Sequence, residues 1–293
     1  MIIRDFDMSV DCGLAGLDAP QERPTLTSYI LDTELISRSF WKSRPAVIVC
    51  PGGGYRSRSV REAEAVALKF CAAGFHAFVL NYSVGRHAQW PIPQCQLSKA
   101  VMTVRELSGE YCIDSENVYV CGFSAGGHLA AALGVYWDDP VIRRGSGASG
   151  EINRPDGLIL CYPVIIADDD KTHRGTKRNF IGGEPRNAAL FGLDKHVTER
   201  TPESFIWHTF EDDSVPVYSS LRFAEALYER GVSCELHVFP NGRHGLALGS
   251  MITACEPKHI VKETDIWIDL AVKWLGRHID TRGCKGFDRV VDT

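Results

Sequence analysis

Length, composition and charge exclude several classes of protein before any motif is considered. The chain has 293 residues, of which 44% are hydrophobic and 24% charged, as in an ordinary globular protein rather than a disordered or fibrous one. The formal net charge of −5 gives no electrostatic basis for binding nucleic acid or an anionic membrane, so neither is expected as a partner.

In chain order, short apolar runs alternate with amphipathic stretches. Residues 1–44, which include TLTSYILD, are expected to form antiparallel strands at a sheet edge. Further strands are predicted at 45–50, 76–82, 117–122, 156–163, 204–210 and 234–239. Helices are predicted at 59–74, 93–111, from about Ala125 onwards, at 218–231 and at 266–279. The alternation predicts an α/β fold, a mostly parallel central sheet with helices on both faces.

Residues 164–201 interrupt this alternation. They are rich in charge and glycine, and we interpret them as a small polar lid inserted over the sheet. The acidic run at 168–170 is more typical of a solvated loop than of a metal site. Because the chain shows no repeat, linker or low-complexity segment, we predict one domain over residues 1–293.

The cysteines and the N-terminal segment bear on the cellular compartment. The ten cysteines are scattered, several lie in apolar runs, and none forms a C-x-x-C pair, which is typical of reduced thiols rather than of a disulfide framework or a zinc site. The first residues lack the pattern of a secretory signal, and no apolar run approaches the roughly 20 residues of a membrane helix. We therefore expect a cytoplasmic protein.

Ser124 is the first residue of the sequence that indicates a function. The stretch CGFSAGGHLAAAL places Ser124 in a G-x-S-x-G pentapeptide between a predicted strand and a predicted helix. A nucleophile at the tip of such a turn has a strained backbone that requires small neighbours, and the helix N-terminus favours developing negative charge. A tight structural turn is the alternative, but the strand–turn–helix context favours the nucleophile.

Three further segments follow predicted strands. CPGGGY contains glycines whose backbone N–H groups can approach a ligand, HTFEDDSVP contains Asp212, and FPNGRHGLAL contains His244. Taken singly, these segments also fit a flexible turn, a solvated acidic loop and a structural histidine. Together with Ser124, however, they give the chain order serine, acid, histidine that is found in the catalytic triad of α/β-hydrolases.

These segments resemble the acetyl-esterase and acetyl-xylan-esterase-like group of α/β-hydrolases, relatives of the lipases and esterases that carry an HGGG loop. Pro51 stands where that loop has its histidine. The resemblance implies an α/β-hydrolase fold and a triad of Ser124, Asp212 and His244. Its D-x-x-V-P pattern selects Asp212 over the neighbouring acids Asp213 and Glu211.

The same resemblance implies an oxyanion hole, a mechanism and a substrate. The backbone N–H groups expected to bind the oxyanion are those of Gly53, Gly54 and Ala125. The reaction is hydrolysis of a short-chain ester through an acyl-enzyme, with no metal or organic cofactor. The expected partner is a small-molecule ester, an acetylated carbohydrate. We predict that Tyr55, which follows the glycines, lines the substrate pocket; an aromatic side chain exposed on the loop is the alternative.

Several alternatives stay open. A serine peptidase or amidase on the same fold would carry the same triad, and a binding protein on a hydrolase scaffold would share the fold. A homo-oligomer is also left open. The stretch GSGASG at 145–150 matches a dinucleotide-binding pattern but lacks the strand before it and the helix after it, so we interpret it as a loop. His128 is expected to pack on the nucleophile helix.

Overall fold

An eight-stranded sheet organises the molecule, and the computed structural model describes residues 1–39 and 42–277 of the chain. The strands run β1 Asp5–Asp7, β2 Thr25–Tyr29, β3 Arg44–Cys50, β4 His76–Asn81, β5 Ile113–Phe123, β6 Gly157–Cys161, β7 Ser204–Thr209 and β8 Cys234–Phe239. Their spatial order is β1-β2-β4-β3-β5-β6-β7-β8. β1 and β2 are antiparallel at the edge, and all pairs from β4 to β8 are parallel. The predicted fold class is confirmed.

Helices connect the strands and cover the sheet. They run α1 Thr33–Arg38, α2 Glu64–Ala72, α3 Ile92–Glu106, α4 Ser108–Tyr111, α5 Ala125–Tyr136, α6 Pro140–Ser146, α7 Arg174–Ile181, α8 Ala188–Phe191, α9 Tyr218–Glu229 and α10 Trp267–Gly276. The final helix was predicted to reach residue 279, and its last two predicted positions lie outside the described residues. Within 1–39 and 42–277, no helix is both long and apolar enough to cross a membrane.

The stretch GSGASG is not entirely a loop. Its first two residues complete α6, and the chain then leaves the helix at Gly147, which has φ of 79°. Asp139 caps the N-terminus of this helix by accepting a hydrogen bond from the Val141 N–H at 2.7 Å. The sequence prediction missed α6 because a seven-residue helix carries little periodicity, whereas its capping aspartate followed by proline was a readable start signal.

Two hydrophobic cores explain why the strands are apolar throughout rather than alternating with polar residues. Along β3, the side chains of Ile48 and Cys50 belong to one core, and those of Val47 and Val49 belong to the other. Both faces of a parallel sheet are covered by helices, so residues 45–50 of β3, 117–123 of β5 and all of β6 are buried. Ser124 therefore sits at the carboxyl end of a strand that is buried on both faces.

The insertion at 164–201 packs onto the first core. Ile165, Phe180 and Leu193 are all fully buried there, while charged residues occupy its outer surface. Lys177 pairs with Asp169 at 2.6 Å, so part of the acidic run is neutralised within the insertion itself. Movement of the insertion as a lid stays a prediction, but its position beside the end of β5 makes it a wall of the site.

Candidate active site

The turn at Ser124 shows why glycines flank the serine. Ser124 lies between the end of β5 and the start of α5, with φ of 53° and ψ of −114°, a backbone conformation that is uncommon for a residue with a side chain. A Cβ atom on Gly122 would lie 2.2 Å from the Gly126 carbonyl oxygen, and one on Gly126 would lie 2.1 Å from that of Cys50. Close backbone approach therefore excludes any side chain at both positions, and the hydroxyl is held at the tip of the turn.

The three residues of the predicted triad are in direct contact. The Ser124 hydroxyl is 2.7 Å from His244 Nε2, and His244 Nδ1 is 2.6 Å from Asp212 Oδ2. Asp212 follows β7 and His244 follows β8, so both loops project from the same edge of the sheet as the serine. A nucleophile, a base and an orienting carboxylate in this arrangement can activate the hydroxyl for attack on a carbonyl carbon.

Asp212 is held by more partners than the histidine of the triad. Its Oδ1 accepts hydrogen bonds from the N–H groups of Ser214 and Val215, at 3.0 and 2.9 Å. His208 Nε2 lies 3.2 Å from Oδ2 and donates at 2.8 Å to the Val215 carbonyl. Burial opposes ionisation of this carboxyl, but the hydrogen bonds from His208 and His244 outweigh it and lower the pKa of Asp212. The carboxylate is therefore charged throughout the neutral range.

The two neighbouring acids are placed elsewhere. Asp213 is exposed and lies 3.5 Å from the guanidinium of Arg243, while Glu211 accepts a hydrogen bond from the Gly242 N–H at 3.2 Å. Neither contacts His244 in the structure. Of the three acids, Asp212 is the one bonded to His244, and its role as the catalytic acid stays a prediction.

The glycine loop after β3 lies against the nucleophile. A Cβ on Gly52 would be 3.0 Å from the Ser124 Cβ, so the backbone of the loop passes directly beside the turn. The Gly52 N–H is already bonded to Glu62, at 2.8 Å. Within the described part of the chain, the N–H groups of Gly53, Gly54 and Ala125 have no hydrogen-bond acceptor. They are free to donate to a ligand, and their role as an oxyanion hole stays a prediction.

The prediction that Tyr55 lines the substrate pocket is wrong. Its side chain is 0% exposed, and its hydroxyl lies 3.1 Å from Nδ1 of His128, on α5. His128 Nε2 lies 3.1 Å from the Phe191 carbonyl, which can only accept, so Nε2 carries the proton and Nδ1 accepts from Tyr55. Burial lowers the pKa of His128 to about 4. Tyr55 therefore fastens the glycine loop to the nucleophile helix.

Sequence reasoning also missed a buried glutamate. Glu62 accepts the Gly52 N–H through one oxygen and the Tyr162 hydroxyl through the other, both at 2.8 Å. The Tyr162 hydroxyl in turn accepts the Ala247 N–H at 2.9 Å, three residues after His244. One carboxylate thus links the glycine loop to the histidine loop. The sequence held a signal for its burial: Glu62 lies four residues before Val66, which is on the buried side of the following helix.

A cleft of about 540 Å³ opens onto the triad. Its wall comes from the glycine loop, from α7 and from the loops after β7 and β8, and it includes Ser124, His244, Arg56, Arg61, His173, Arg178, Asn179 and Ser214. Asn179 donates to the Gly54 carbonyl at 2.8 Å, which joins the insertion to the glycine loop. Partial burial, then the neighbouring His244 and Arg178, lower the pKa of His173. The wall is polar, and the described residues that line it include no phenylalanine, tyrosine or tryptophan.

Two protein families match separate parts of the chain. The BD-FAE family matches residues 35–153, which contain the glycine loop and the nucleophile. The prolyl oligopeptidase family matches residues 183–276, which contain the acid and the histidine. Among curated proteins, the chain is 36% identical to endo-1,4-beta-xylanase B of Butyrivibrio fibrisolvens over 78% of its length and 29% identical to an acetylxylan esterase of Xylanibacter ruminicola over 70%. It spans only 35% and 42% of those two proteins.

Solved structures match nearly the whole chain. An acetyl ester-xyloside bifunctional hydrolase from Caldicellulosiruptor lactoaceticus is 36% identical, with a TM-score of 0.78 and coverage of 94% of this chain and 96% of that one. A carboxylesterase from Lactobacillus plantarum is 29% identical, with a TM-score of 0.80 and coverage of 95% and 98%. With its sheet order and its strand–serine–helix turn, the chain belongs to the α/β-hydrolase family, in the group that includes these acetyl esterases and carboxylesterases.

Proposed function

We propose that the protein is a serine carboxylesterase that hydrolyses short-chain acyl esters, acetyl esters above all, of sugars or oligosaccharides. The observation that carries the proposal is the unbroken hydrogen-bond chain from Ser124 through His244 to Asp212 at the floor of a polar cleft. The similarity to an acetylxylan esterase and to an acetyl ester-xyloside hydrolase supports the acetylated carbohydrate as substrate.

In the first half-reaction, Ser124 Oγ attacks the ester carbonyl carbon while His244 Nε2 takes the hydroxyl proton. Asp212 keeps the His244 Nδ1 proton in place and stabilises the imidazolium that forms. The imidazolium then gives its proton to the leaving alcohol, the C–O bond breaks, and the acyl group stays on the serine.

The negative charge on the oxygen of the tetrahedral intermediate must be stabilised by hydrogen-bond donors. We assign this role to the N–H groups of Gly53, Gly54 and Ala125, which have no acceptor in the described structure. Loss of one such donor typically costs about 3 kcal/mol of transition-state stabilisation. In the second half-reaction water takes the place of the alcohol, His244 accepts its proton, and the carboxylic acid leaves.

The acyl half is proposed to be small. A lipase needs apolar side chains to line an acyl tunnel, but the aromatic residues of the insertion, Phe180 and Phe191, are fully buried in the core. Each methylene buried in a fitting tunnel would contribute about 0.8 kcal/mol, and the polar cleft offers no such gain. The test is kcat/KM for p-nitrophenyl acetate against p-nitrophenyl octanoate. Acetate should be preferred, and turnover should fall steeply beyond butyrate; an equal or higher value for octanoate would contradict the proposal.

A second candidate function is a serine peptidase or amidase, which the prolyl oligopeptidase match over residues 183–276 favours. The matched segment supplies the acid and the histidine but not the nucleophile. A panel of acetylated xylo-oligosaccharides, aryl esters and aminoacyl amides separates the candidates. Hydrolysis of the esters without the amides supports the esterase, and preferred cleavage of amides would replace it with the peptidase.

We also propose a cytoplasmic location. The nine cysteines of the described residues are free thiols, which is typical of a reducing compartment. Fractionation of the native host, with detection by antibody, tests this; recovery outside the cytoplasm would contradict it.

A further inference from the structure

The cleft wall carries two exposed arginines that have no acid partner among the described residues. Arg56 follows the glycine loop, Arg178 lies on α7, and both side chains are exposed. Their backbones bond to Gly53 and Gly182, but neither guanidinium group makes a hydrogen bond or an ion pair with any described residue. Arg61 bonds the carbonyls of Thr253 and Gly245 through two nitrogens, and its third, Nη2, has no partner.

The one carboxylate on this wall is already used. Glu62 is 3% exposed, and both of its oxygens accept hydrogen bonds, from the Gly52 N–H and from Tyr162. It stabilises the two loops and has no free oxygen for either exposed arginine. Two exposed arginines thus line a cleft of about 540 Å³, with the partly buried Arg61 beside them, although the chain as a whole has a net charge of −5.

Arg178 also differs from the other arginines of the insertion. Arg174 lies 3.3 Å from Asp170, and Arg186 lies 2.9 Å from Glu184. Arg200 pairs with two acids, at 2.8 and 2.9 Å. Each of these three arginines of the insertion has a carboxylate partner, although the two acids that pair with Arg200 lie outside the insertion, whereas Arg178, which lines the cleft, has none among the described residues. This pattern leaves a cation beside the nucleophile that a ligand can neutralise.

We propose, resting on the esterase function above, that the preferred substrate carries a negative charge near its scissile ester, in the form of the carboxylate of an acetylated uronic acid residue. Arg56 and Arg178 bind this carboxylate on the open side of the cleft. A planar guanidinium can donate two parallel hydrogen bonds to a carboxylate, and such charge-assisted bonds are stronger than those to a neutral hydroxyl. The charge selects the substrate, and the triad performs the same hydrolysis on it.

The first experiment compares substrates that differ only in charge. The purified full chain is assayed with the methyl glycosides of monoacetylated glucuronic acid and of monoacetylated glucose, acetylated at the same hydroxyl. We expect kcat/KM to be about tenfold higher for the uronate, and the ratio to fall as salt is raised from 20 mM to 500 mM, because solvent-exposed charges are screened. A monoacetylated glucose 6-sulfate forms a third arm; an equal preference for it would mean that any anion suffices and would overturn the assignment to a carboxylate.

The second experiment assigns the preference to residues. Arg178→Gln and Arg56→Gln should each lower the uronate-to-glucose ratio about threefold, and the double variant should bring it close to one. Arg186→Gln removes an exposed arginine of the same insertion that does not line the cleft, and it should leave the ratio unchanged. The proposal is overturned by a ratio of one in the wild-type enzyme, or by a ratio that the two cleft variants do not change.

The outcome separates this proposal from the function on which it rests. Hydrolysis of both glycosides with equal kcat/KM would contradict the charge selection and leave the esterase proposal standing. Failure to hydrolyse either glycoside or p-nitrophenyl acetate would contradict the esterase proposal itself. Circular dichroism spectra of the variants, compared with that of the wild-type chain, exclude misfolding as the cause of a changed ratio.

Discussion

The two sides of the catalytic serine are built differently. Behind it, Tyr55, His128, Glu62 and Tyr162 are buried and bonded to one another or to backbone groups of the surrounding loops. In front of it, the cleft wall carries exposed Arg56 and Arg178, which have no acid partner in the described part of the chain. A buried hydrogen-bonded network cannot change one member without leaving another unsatisfied, whereas an exposed side chain can be replaced at little cost. Catalytic geometry and substrate choice should therefore respond to different mutations.

The largest expected effect comes from the residue between the two sides. Ser124→Ala should lower kcat by at least about 10⁴-fold, because the nucleophile is lost while a small residue still fits the turn. The measurement is p-nitrophenyl acetate hydrolysis together with the melting temperature. Near-normal turnover in a folded variant would show that the serine is structural.

The acid comes next and offers a matched control in the chain. Asp212→Asn should lower kcat by about 10⁴-fold, because an amide favours the wrong imidazole tautomer. Asp213→Asn, which changes an exposed neighbour, should alter kcat by less than about threefold. If the order of the two effects were reversed, the catalytic acid would be Asp213.

Acidification should destabilise the fold through the buried network behind the serine, at His128. Burial lowers the pKa of His128 to about 4, against an unfolded value of 6.5, so the unfolded chain binds more protons between these two pH values. The stabilisation is complete above pH 6.5 and is lost as the pH falls to about 4, by roughly 2–3 kcal/mol. Urea unfolding at pH 7.0, 5.5 and 4.5 measures this. A free energy of unfolding that stays constant or rises on acidification would argue against a buried His128.

Breaking the link that Glu62 and Tyr162 form between the glycine and histidine loops should lower kcat less than changing the triad. Tyr162→Phe leaves Glu62 without one donor and the Ala247 N–H without an acceptor, at a cost of about 2 kcal/mol. Because these groups position the glycine and histidine loops, kcat should fall about tenfold with little change in KM. Tyr228→Phe, on an exposed surface, is the control and should match wild type. A rise in KM alone would instead indicate a role in substrate binding.

The smallest expected effect is that of Tyr55→Phe, which tests whether Tyr55 stabilises the fold rather than binds substrate. Tyr55→Phe removes the hydroxyl that bonds His128 and should cost about 1–2 kcal/mol of stability. Since the side chain is fully buried, the relative kcat/KM values for different esters should stay the same. A shifted substrate preference, with the melting temperature unchanged, would return Tyr55 to the pocket wall.

Much of the fold and the triad could be predicted because both depend on local patterns in chain order. Buried parallel strands such as β3 and β6 are continuous apolar runs, and Ser124, Asp212 and His244 each follow a predicted strand. The carboxyl ends of parallel strands meet at one edge of the sheet, so residues far apart in sequence are brought together. Local pattern and linear order were sufficient for the fold, whereas the choice of Asp212 over Asp213 and Glu211 also needed the family resemblance.

The supporting residues could not be found in this way, because their partners are distant in sequence. Glu62 bonds to Tyr162, one hundred positions away, and Tyr55 bonds to His128, seventy-three away. The sequence pattern of a tyrosine after a glycine loop is the same whether its ring points into the cleft or into the core. Among the supporting residues, His208 was easier to predict from the sequence, since it lies only four residues before Asp212.

The nucleophile helix has a consequence for motion. All twelve residues of α5 are buried, whereas α7, on the cleft wall, buries only Thr176 and Phe180. Amide protons in α5 should therefore exchange with solvent only when the whole domain unfolds, and those of α7 should exchange through local opening. A bound anionic substrate analogue should then slow exchange in α7 and leave α5 unchanged, because the wall gains order while the serine already holds its place.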